Sequence, residues 1–246
     1  MHNPFSLKGK TILVTGASSG LGASIAIECA KMGASLVITG RDENRLKNTF
    51  TTIGKNVSMV IADLEKNEEI EKLSNTIPSI NGIVFNAGIN KRQPVNFIKD
   101  KELDSVMNIN FKSSATIIKS LLKQKKIEKN SSIVFISSIA VDRPVAGNAA
   151  YSAAKGAIDS YMRVLALELA NKQIRANSIH PGMVWTSLID KSSLDAEHYK
   201  IDEKRYPLGR YGKPEEVSYA VIYLLSNASA WTTGTILTLD GGISLI

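Results

Sequence analysis

Tyr151 and Lys155 are four residues apart in the segment YSAAK, and Ser138 precedes the tyrosine by thirteen residues. On a helix, residues four apart lie on one face, one turn from each other. An unperturbed phenol has a pKa of about 10, and a nearby ammonium lowers that pKa by stabilising the phenolate. We therefore expect Lys155 to tune Tyr151 as a general acid–base that exchanges a proton with a carbonyl or alcohol oxygen.

A glycine-rich loop follows the first apolar run of the chain. Residues 15–22 read TGASSGLG and lead into an apolar helical pattern. Glycines permit a tight turn and close approach of a diphosphate, and a helix N-terminus favours anions. The G-x3-G-x-G spacing is not the common G-x-G-x-x-G fingerprint, and no G-K-[ST] follows as it would in a Walker loop. The position between a strand and a helix predicts a dinucleotide phosphate site.

The end of the second predicted strand indicates which dinucleotide is bound. NAD-binding folds often place an acid there for the ribose 2′-hydroxyl. Here the strand ends in Thr39-Gly40-Arg41, so Gly40 is expected to leave room and Arg41 to face a 2′-phosphate. Asp42 follows immediately and keeps NAD(H) open. We expect NADP(H) to be preferred.

Elements alternate along the chain in a way that predicts the fold. Short apolar runs predict strands at 11–15, 35–39, 57–61, 82–86, 132–137, 174–179 and 235–239. Helical patterns between them cover 21–32, 42–53, 66–76, 100–128, 151–171 and 214–226. Nearly continuous apolar strands separated by helices indicate a parallel sheet that is covered on both faces. We expect one α/β domain over residues 1–246, a doubly wound seven-stranded Rossmann fold.

Composition sets the broad class. The net charge is 30 − 23 = +7, the basic residues are scattered, and Cys29 is the only cysteine. This balance favours anionic small ligands without indicating a nucleic-acid binder, and it rules out an intrachain disulfide. No apolar run is long enough to span a membrane and the N-terminus has no secretory h-region, so we expect a cytoplasmic protein without a membrane partner.

The segment 183–210 lacks a strand pattern and follows a predicted strand end at Pro181-Gly182. Ligands of open α/β sheets bind at the carboxyl ends of strands. We expect a substrate lid here, with the amphipathic residues Trp185, Leu188 and Ile189.

Together these motifs resemble the short-chain dehydrogenase/reductase family over essentially the whole chain. The glycine loop is similar to the family's TGxxxGxG, Asn86-Ala87-Gly88 to its NNAG turn with Phe85 in place of the first Asn, and Pro181-Gly182 to its PG turn. The positions that the resemblance assigns to catalysis are Asn110, Ser138, Tyr151 and Lys155. Those it assigns to cofactor binding are Gly16, Ser18, Ser19, Gly20, Leu21, Gly22, Arg41, Asp63, Leu64, Asn86, Ala87, Gly88, Tyr151, Lys155, Pro181, Gly182 and Thr186.

The resemblance implies a role for each catalytic position. Tyr151 exchanges the proton, Lys155 lowers its pKa and binds the nicotinamide ribose, and Ser138 orients the carbonyl oxygen. Asn110 holds a water that connects Lys155 to solvent. The hydride comes from the nicotinamide, so no metal is expected, and the three histidines form no ligand pattern. His180, beside Pro181, could approach the nicotinamide or serve in packing.

The substrate is left open between two subgroups. The spacing of the catalytic residues and the PLGR–DGG tail resemble 3-oxoacyl-[acyl-carrier-protein] reductases, with Lys129 and Lys172 basic where those enzymes face the acyl carrier protein. The stretch NAGINKRQPV resembles gluconate 5-dehydrogenase-like enzymes, with Lys91 and Arg92 available for a substrate carboxylate. We favour the acyl reductase because that type is common.

Two further alternatives concern turnover and assembly. Some proteins of this fold bind dinucleotide as sensors, although those typically lack the tyrosine or the lysine that this chain has. The family usually forms homotetramers through its two long helices, here 100–128 and 151–171, and its C-terminal strand. We therefore expect a homotetrameric enzyme.

Overall fold

The computed structural model describes residues 3–186 and 196–246, which build one parallel sheet between two layers of helices. The strands run in the spatial order β3-β2-β1-β4-β5-β6-β7. Their bounds are β1 Thr11–Thr15, β2 Ser35–Gly40, β3 Val57–Ile61, β4 Ile80–Phe85, β5 Ile127–Ile136, β6 Arg175–Pro181 and β7 Ile236–Leu239. The helices are α1 Gly20–Lys31, α2 Glu43–Ile53, α3 Asn67–Thr76, α4 Asp100–Met107, α5 Ser113–Lys123, α6 Ala149–Glu168, α7 Ala196–Glu203 and α8 Pro214–Leu225.

Both faces of the sheet are buried because the central strands carry apolar residues on both faces. Successive side chains of a strand point to opposite faces. Leu13 and Phe135 therefore pack under α3, α5 and α6, while Ile12 and Val134 pack under α1, α2 and α8. The doubly wound, seven-stranded parallel fold expected from the sequence is confirmed.

The sheet has its switch point between β1 and β4. From β1 the chain winds outward through β2 and β3, then returns to place β4 on the other side of β1. In such folds, ligands bind at the carboxyl ends of the strands beside the switch point.

The predicted helix 100–128 is wrong as a single element. Helix α4 ends at Met107, residues Asn108–Lys112 form a π-helical turn, and α5 ends at Lys123. Lys125 then takes a left-handed conformation with φ 55°, which ends the helix. Isolated π turns interrupt helices frequently at functional sites, and no residue-type signal marks this one.

Two strands start earlier than their apolar runs. β4 begins at Ile80 and β5 at Ile127, because Ile80 pairs with Ile127 before the register shifts. Asn130, with φ 61°, lies in that bulge. The polar bulge hides the first residues of β5 from a search for continuous apolar runs.

The segment predicted as a lid contains helix α7, which the sequence analysis did not predict. Helix α7 is held by an aromatic cluster in which Trp185 and Tyr211 have ring centroids 5.3 Å apart. Tyr211 also donates a 2.6 Å hydrogen bond to Asp202 of α7. The centre of the lid, 187–195 with Leu188 and Ile189, lies outside the described residues. In the described ranges, none of the helices is both long and apolar enough to cross a membrane.

Candidate active site

A cleft of about 680 Å³ opens at the carboxyl ends of the strands. Its volume lies in the range of sites that hold cofactors and small substrates. Every residue that the sequence assigned to the cofactor lines it except Gly22, which lies behind the loop, and Ser138 lines it too. Residues lining the cleft that the sequence did not single out include Arg45, Ile89, Asn90 and Met183.

The glycine loop is packed too tightly for side chains at two positions. A Cβ on Gly22 would lie 2.1 Å from the Gly16 carbonyl oxygen, and a Cβ on Gly16 would lie 2.8 Å from the Ala87 Cα. The Asn86 side-chain amide donates to the Thr15 and Gly16 carbonyls at 3.3 and 3.2 Å. The loops after β1 and β4 are therefore joined into one cradle.

The first turn of α1 is open to an anion. Its N-cap, Ser19, makes no side-chain hydrogen bond to the helix, so the terminal N–H groups lack a side-chain cap. Gly20 has φ 55°, and Thr186 lies directly above it, with its Cβ 3.5 Å from where a Gly20 Cβ would be. A helix N-terminus flanked by glycines fits a dinucleotide diphosphate.

The end of β2 presents a cation to the cleft. Asp42 caps α2 by accepting from the Arg45 N–H at 3.0 Å, and its second oxygen pairs with the Arg45 Nε at 2.7 Å. These hydrogen bonds from Arg45 lower the pKa of Asp42. Asp42 is thus engaged by its own helix, whereas exposed Arg41 makes no ion pair within the described residues.

Gly40 does not leave room for a ligand, contrary to the expectation from the sequence. A Cβ at Gly40 would lie 2.0 Å from the Ser18 hydroxyl, so that hydroxyl already fills the space. The buried Thr39 hydroxyl beside it has no hydrogen-bond partner among the residues that the structure describes. Gly40 is therefore needed for packing against the glycine-rich loop after β1. Ser18 and Arg41 are the polar residues beside it that line the cleft.

Asp63 and Leu64 follow β3 at the same edge of the cleft. The Asp63 N–H donates to Glu69 at 2.7 Å, and the Asp63 carboxylate accepts from the Glu65 N–H at 3.1 Å. Local hydrogen bonds therefore fix this turn, and Leu64 is buried as its apolar floor.

Tyr151, Lys155 and Ser138 come together at the centre of the cleft. Helix α6 places the Lys155 Nζ 5.5 Å from the centre of the Tyr151 ring. Lys155 is buried and donates a 2.6 Å hydrogen bond to the Ile136 carbonyl at the end of β5. Ser138 follows two residues later, and its hydroxyl interacts with the Tyr151 phenol. The predicted triad is thus brought to one place by α6 and β5.

The pKa values in this group differ in direction from the expectation. Burial raises the pKa of Tyr151, and the hydrogen bond with Ser138 lowers it by less. Burial also lowers the pKa of Lys155 to about 8, opposed by the charge of Asp159. The expectation that the pKa of Tyr151 lies below its usual value is therefore not met in this structure, because burial raises that pKa by more than the hydrogen bond with Ser138 lowers it.

Asn110 lies in the π-helical turn and contacts the main chain of Ile89. Its Oδ1 accepts from the Ile89 N–H at 2.7 Å and its Nδ2 donates to the Ile89 carbonyl at 2.9 Å. A Cβ on Gly88 would lie 3.1 Å from the Asn110 Oδ1 and 3.6 Å from the Lys155 Nζ. Asn110 therefore fixes the turn after β4 beside Lys155, and its Oδ1 keeps a second lone pair for a water.

Ser137 and Ser138 face opposite sides. The Ser137 hydroxyl is buried and donates to Asp159 at 3.2 Å, whereas the Ser138 hydroxyl accepts from the Ala140 N–H at 3.1 Å beside Tyr151. Alternation along the strand end explains the difference. Only Ser138 can orient a substrate oxygen together with Tyr151.

His180 does not approach the cleft. It is fully buried and contacts the Asp159 and Asp142 carboxylates at 2.7 and 3.0 Å. Among the described residues no group of three or more histidine, cysteine or acidic side chains could hold a metal ion.

The two cation pairs proposed for substrates or partners lie in different places. Lys129 and Lys172 precede the buried parts of β5 and β6, which pair from Ser132 and Arg175 onward. Both lysines lie at the amino-terminal edge of the sheet. Lys129 is seven residues before the carboxyl end of β5, which places it roughly 23 Å from the cleft at the usual rise per residue of a strand.

Lys91 and Arg92 stand near the mouth of the cleft. The Arg92 Nε donates to the Asn148 Oδ1 at 3.2 Å, and Asn148 is the N-cap of the helix that carries Tyr151. Asn90, which lines the cleft, donates to the same oxygen at 3.2 Å.

Comparisons with known proteins identify relatives of this chain. A family model described as enoyl-(acyl carrier protein) reductase matches residues 16–244. The chain is 32% identical over 240 residues to 3-oxoacyl-[acyl-carrier-protein] reductase FabG of Rickettsia prowazekii, covering 98% of this chain and 99% of that protein. It is 34% identical over 246 residues to L-xylulose reductase of Caenorhabditis elegans, covering 98% of each. The crystal structure of a proposed gluconate dehydrogenase from Agrobacterium tumefaciens superposes with a TM-score of 0.91 at 31% identity, covering both chains fully.

Proposed function

This chain belongs to the short-chain dehydrogenase/reductase family, and we propose that it reduces the ketone of a 3-oxoacyl thioester with NADPH. As a member of that family it is an oxidoreductase acting on CH–OH and C=O groups, and it uses a nicotinamide dinucleotide. The observation that carries the proposal is the convergence of Tyr151, Lys155 and Ser138 on one cleft whose other end is a glycine cradle.

The residues of the cleft fit the dinucleotide. We assign the diphosphate to the open first turn of α1 at Ser19 and Gly20, and the nicotinamide end to Pro181-Gly182 and Thr186. When bound, the nicotinamide supplies or accepts the hydride. The cradle positions the cofactor and substrate, and positioning accounts for much of the catalysis in such sites.

The proton is handled by side chains of the chain itself. We propose that Tyr151 gives its proton to the substrate oxygen as negative charge develops there. Ser138 donates a second hydrogen bond to the same oxygen and fixes its direction. The Lys155 ammonium stabilises the phenolate that remains, and it binds the nicotinamide ribose. Asn110 holds the turn at Ile89 in place and keeps a lone pair for a water beside Lys155.

The preference for NADPH rests on the pairing at the end of β2. Asp42 is occupied by the α2 N-terminus and by Arg45, so it is not free to bind a ribose 2′-hydroxyl. Arg41 lines the cleft without an ion pair among the described residues and can meet a 2′-phosphate with two hydrogen bonds.

The similarity to 3-oxoacyl-[acyl-carrier-protein] reductases over nearly the whole chain favours an acyl thioester. Lys129 and Lys172 form a basic edge for an acidic carrier protein, and their distance from the cleft of the same chain suggests that a carrier docked there serves another subunit. The structural similarity to a proposed gluconate dehydrogenase favours a second candidate, a keto sugar acid held near Asn90 and Arg92.

We infer a homotetramer in which α6 contributes to an interface. Its residues Val164 and Leu167 are exposed, at 49% and 80%, although both are apolar. Apolar side chains on one face of a helix are commonly covered by a partner. Sedimentation velocity tests the assembly.

The function is tested by a substrate screen with both cofactors. Acyl thioesters, keto sugar acids and simple ketones are mixed with NADPH or NADH, and loss of the reduced-cofactor absorbance is followed. We expect the fastest turnover with 3-oxoacyl thioesters and NADPH. Fastest turnover of keto sugar acids would select the second candidate, and tight NADPH binding without turnover of any carbonyl would identify a sensor.

A further inference from the structure

His180 bridges two carboxylates behind the active site. Its Nε2 lies 2.7 Å from an oxygen of Asp159, and its Nδ1 lies 3.0 Å from an oxygen of Asp142. An ionised carboxylate accepts hydrogen bonds and cannot donate them. With both carboxylates ionised, hydrogen bonds from the ring to each of them require a hydrogen on each ring nitrogen, which is the imidazolium form.

Asp159 is a buried carboxyl group with three hydrogen-bond partners. Its side chain is 3% exposed, and it accepts from Ser178 at 2.5 Å and from Ser137 at 3.2 Å in addition to His180. Buried carboxylates are tolerated when they are paired and hydrogen-bonded in this way. Asp159 is one helical turn beyond Lys155, and its charge raises the pKa of that lysine.

The bridge also joins the two elements that carry the reacting groups. Asp142 ends the short turn that starts at Ser138, and its side chain is 68% exposed. Asp159 belongs to α6, which carries Tyr151 and Lys155. His180 thus ties the Ser138 turn to α6 from below, while the substrate would occupy the space above.

We propose that His180 and Asp159 are positioning residues, which fix Ser138 against Tyr151 and set the charge that acts on Lys155. The titratable groups around the imidazole are Asp159 from α6 and Asp142 from the Ser138 turn, with Lys155 one turn before Asp159. The neighbouring position on β7, Thr238, carries no titratable group. An imidazolium here offsets the Asp159 charge, so that the Lys155 ammonium remains directed at the active site.

The proposal predicts opposite pH shifts for two substitutions. In His180→Asn the Asp159 charge is no longer offset, so it holds the Lys155 proton more strongly and the alkaline limb of kcat/KM moves to higher pH. In Asp159→Asn that charge is lost, and the alkaline limb moves to lower pH by roughly one unit. Both variants should lose kcat by about ten- to a hundredfold with little change in KM, since the Ser138 turn is displaced.

Asp142→Asn is expected to fold normally even if the two buried substitutions do not, because the Asp142 side chain is mostly exposed. Removing this charge weakens the imidazolium, so the alkaline limb should move in the same direction as in His180→Asn, and by less. Asp104→Asn, an exposed carboxylate on α4, is the matched control and should leave the profile unchanged. If His180→Asn and Asp159→Asn lost activity and melting temperature to the same extent, and their alkaline limbs did not move in opposite directions, the proposal would be overturned and the network would be purely structural.

The kinetic experiments depend on the proposed carbonyl reduction, whereas a second measurement does not. Nitrogen-15 NMR of the imidazole rings, with His180 assigned by its absence in His180→Asn, reports the hydrogens directly. We expect both His180 ring nitrogens to carry hydrogen at pH 7.5. A neutral ring would overturn the proposal even if the enzyme reduces ketones, and an imidazolium would support it even if no substrate is found.

Discussion

The Lys155 ammonium donates a 2.6 Å hydrogen bond to the carbonyl oxygen of Ile136, the last residue of β5. The chain then turns into Ser138, so one hydrogen bond connects the helix that carries Tyr151 to the segment that carries the serine. Because Lys155 is buried, this carbonyl is one of the few groups that compensate its charge. The position of the lysine is therefore set before any cofactor arrives.

Tyr151→Phe should reduce turnover by about 10²- to 10⁴-fold, because the proton donor is lost, while NADPH binding stays nearly unchanged. Turnover is measured with the best substrate of the screen, and binding by NADPH fluorescence. Tyr161→Phe is the matched control. Tyr161 lies on the same helix and packs edge-on against Phe111 at 5.7 Å, outside the cleft. Retained activity in Tyr151→Phe would remove the catalytic assignment.

Arg41→Ala should weaken NADPH binding about ten- to a hundredfold and leave NADH binding nearly unaffected, because only the 2′-phosphate loses charged hydrogen bonds. Dissociation constants for both cofactors are measured by titration. Arg163→Ala, an exposed arginine on α6, controls for loss of one positive charge. Equal losses for the two cofactors would contradict the phosphate contact.

Lys155→Met should stabilise the cofactor-free protein near neutral pH while abolishing turnover. The lysine pKa is lowered from 10.5 to about 8, mainly by burial, so below pH 8 the folded state bears the full cost of the buried charge. That cost is on the order of 3 kcal/mol. Between pH 8 and 10.5 the folded state releases the proton first, so stability rises with pH and the cost disappears.

Thermal unfolding checks the sign of this effect. The melting temperature of Lys155→Met should exceed that of the unmodified protein at pH 7, and the difference should shrink at pH 10. Lys119→Met, an exposed lysine on α5, should show no such pH-dependent gain. A lower melting temperature for Lys155→Met at pH 7 would show that the Asp159 and Ile136 contacts outweigh desolvation.

Gly22→Ala should abolish dinucleotide binding and lower the melting temperature, since the added Cβ would lie 2.1 Å from the Gly16 carbonyl oxygen. Gly156→Ala is its control on α6, where the nearest atom to a new Cβ is the Val141 side chain at 3.9 Å. There the change should be neutral or stabilising by up to about 1 kcal/mol, because alanine favours the helix. NADPH titration and thermal unfolding distinguish the two; normal binding by Gly22→Ala would refute the tight cradle.

Replacement of Lys129 and Lys172 by glutamate should impair carrier-bound 3-oxoacyl substrates more than small ketones. The two lysines lie at the edge opposite the cleft of their own chain, so the chemistry itself should be untouched. Lys119→Glu with Lys123→Glu makes the same change in charge on α5 and serves as the control. Similar losses with both kinds of substrate would argue against carrier docking at this edge.

Local patterns predicted the fold because most of its strands contain short, nearly continuous apolar runs and its glycine loop lies between a strand and a helix. The sequence also predicted that Ser138, Tyr151 and Lys155 lie together, because one helix carries the tyrosine and the lysine and one strand end leads into the serine. It missed the division of 100–128, because the π-helical turn depends on Asn110 reaching Ile89, a contact 21 residues away. It also misjudged Gly40, whose surroundings come from the Ser18 loop, and it could not show that His180 contacts Asp159 on a helix distant in sequence.

The π-helical turn makes the site sensitive to the number of residues in the chain. A π turn holds one more residue than an α turn, so deleting one residue within 108–112 would allow α4 and α5 to merge into one regular helix. The merged helix would rotate Asn110 away from Ile89 and release the turn beside Lys155. A point substitution at Lys112, an exposed residue of this segment, changes no spacing. We therefore expect single-residue deletions within 108–112 to impair the active site while the protein still folds, and we expect substitutions there to show this difference less clearly.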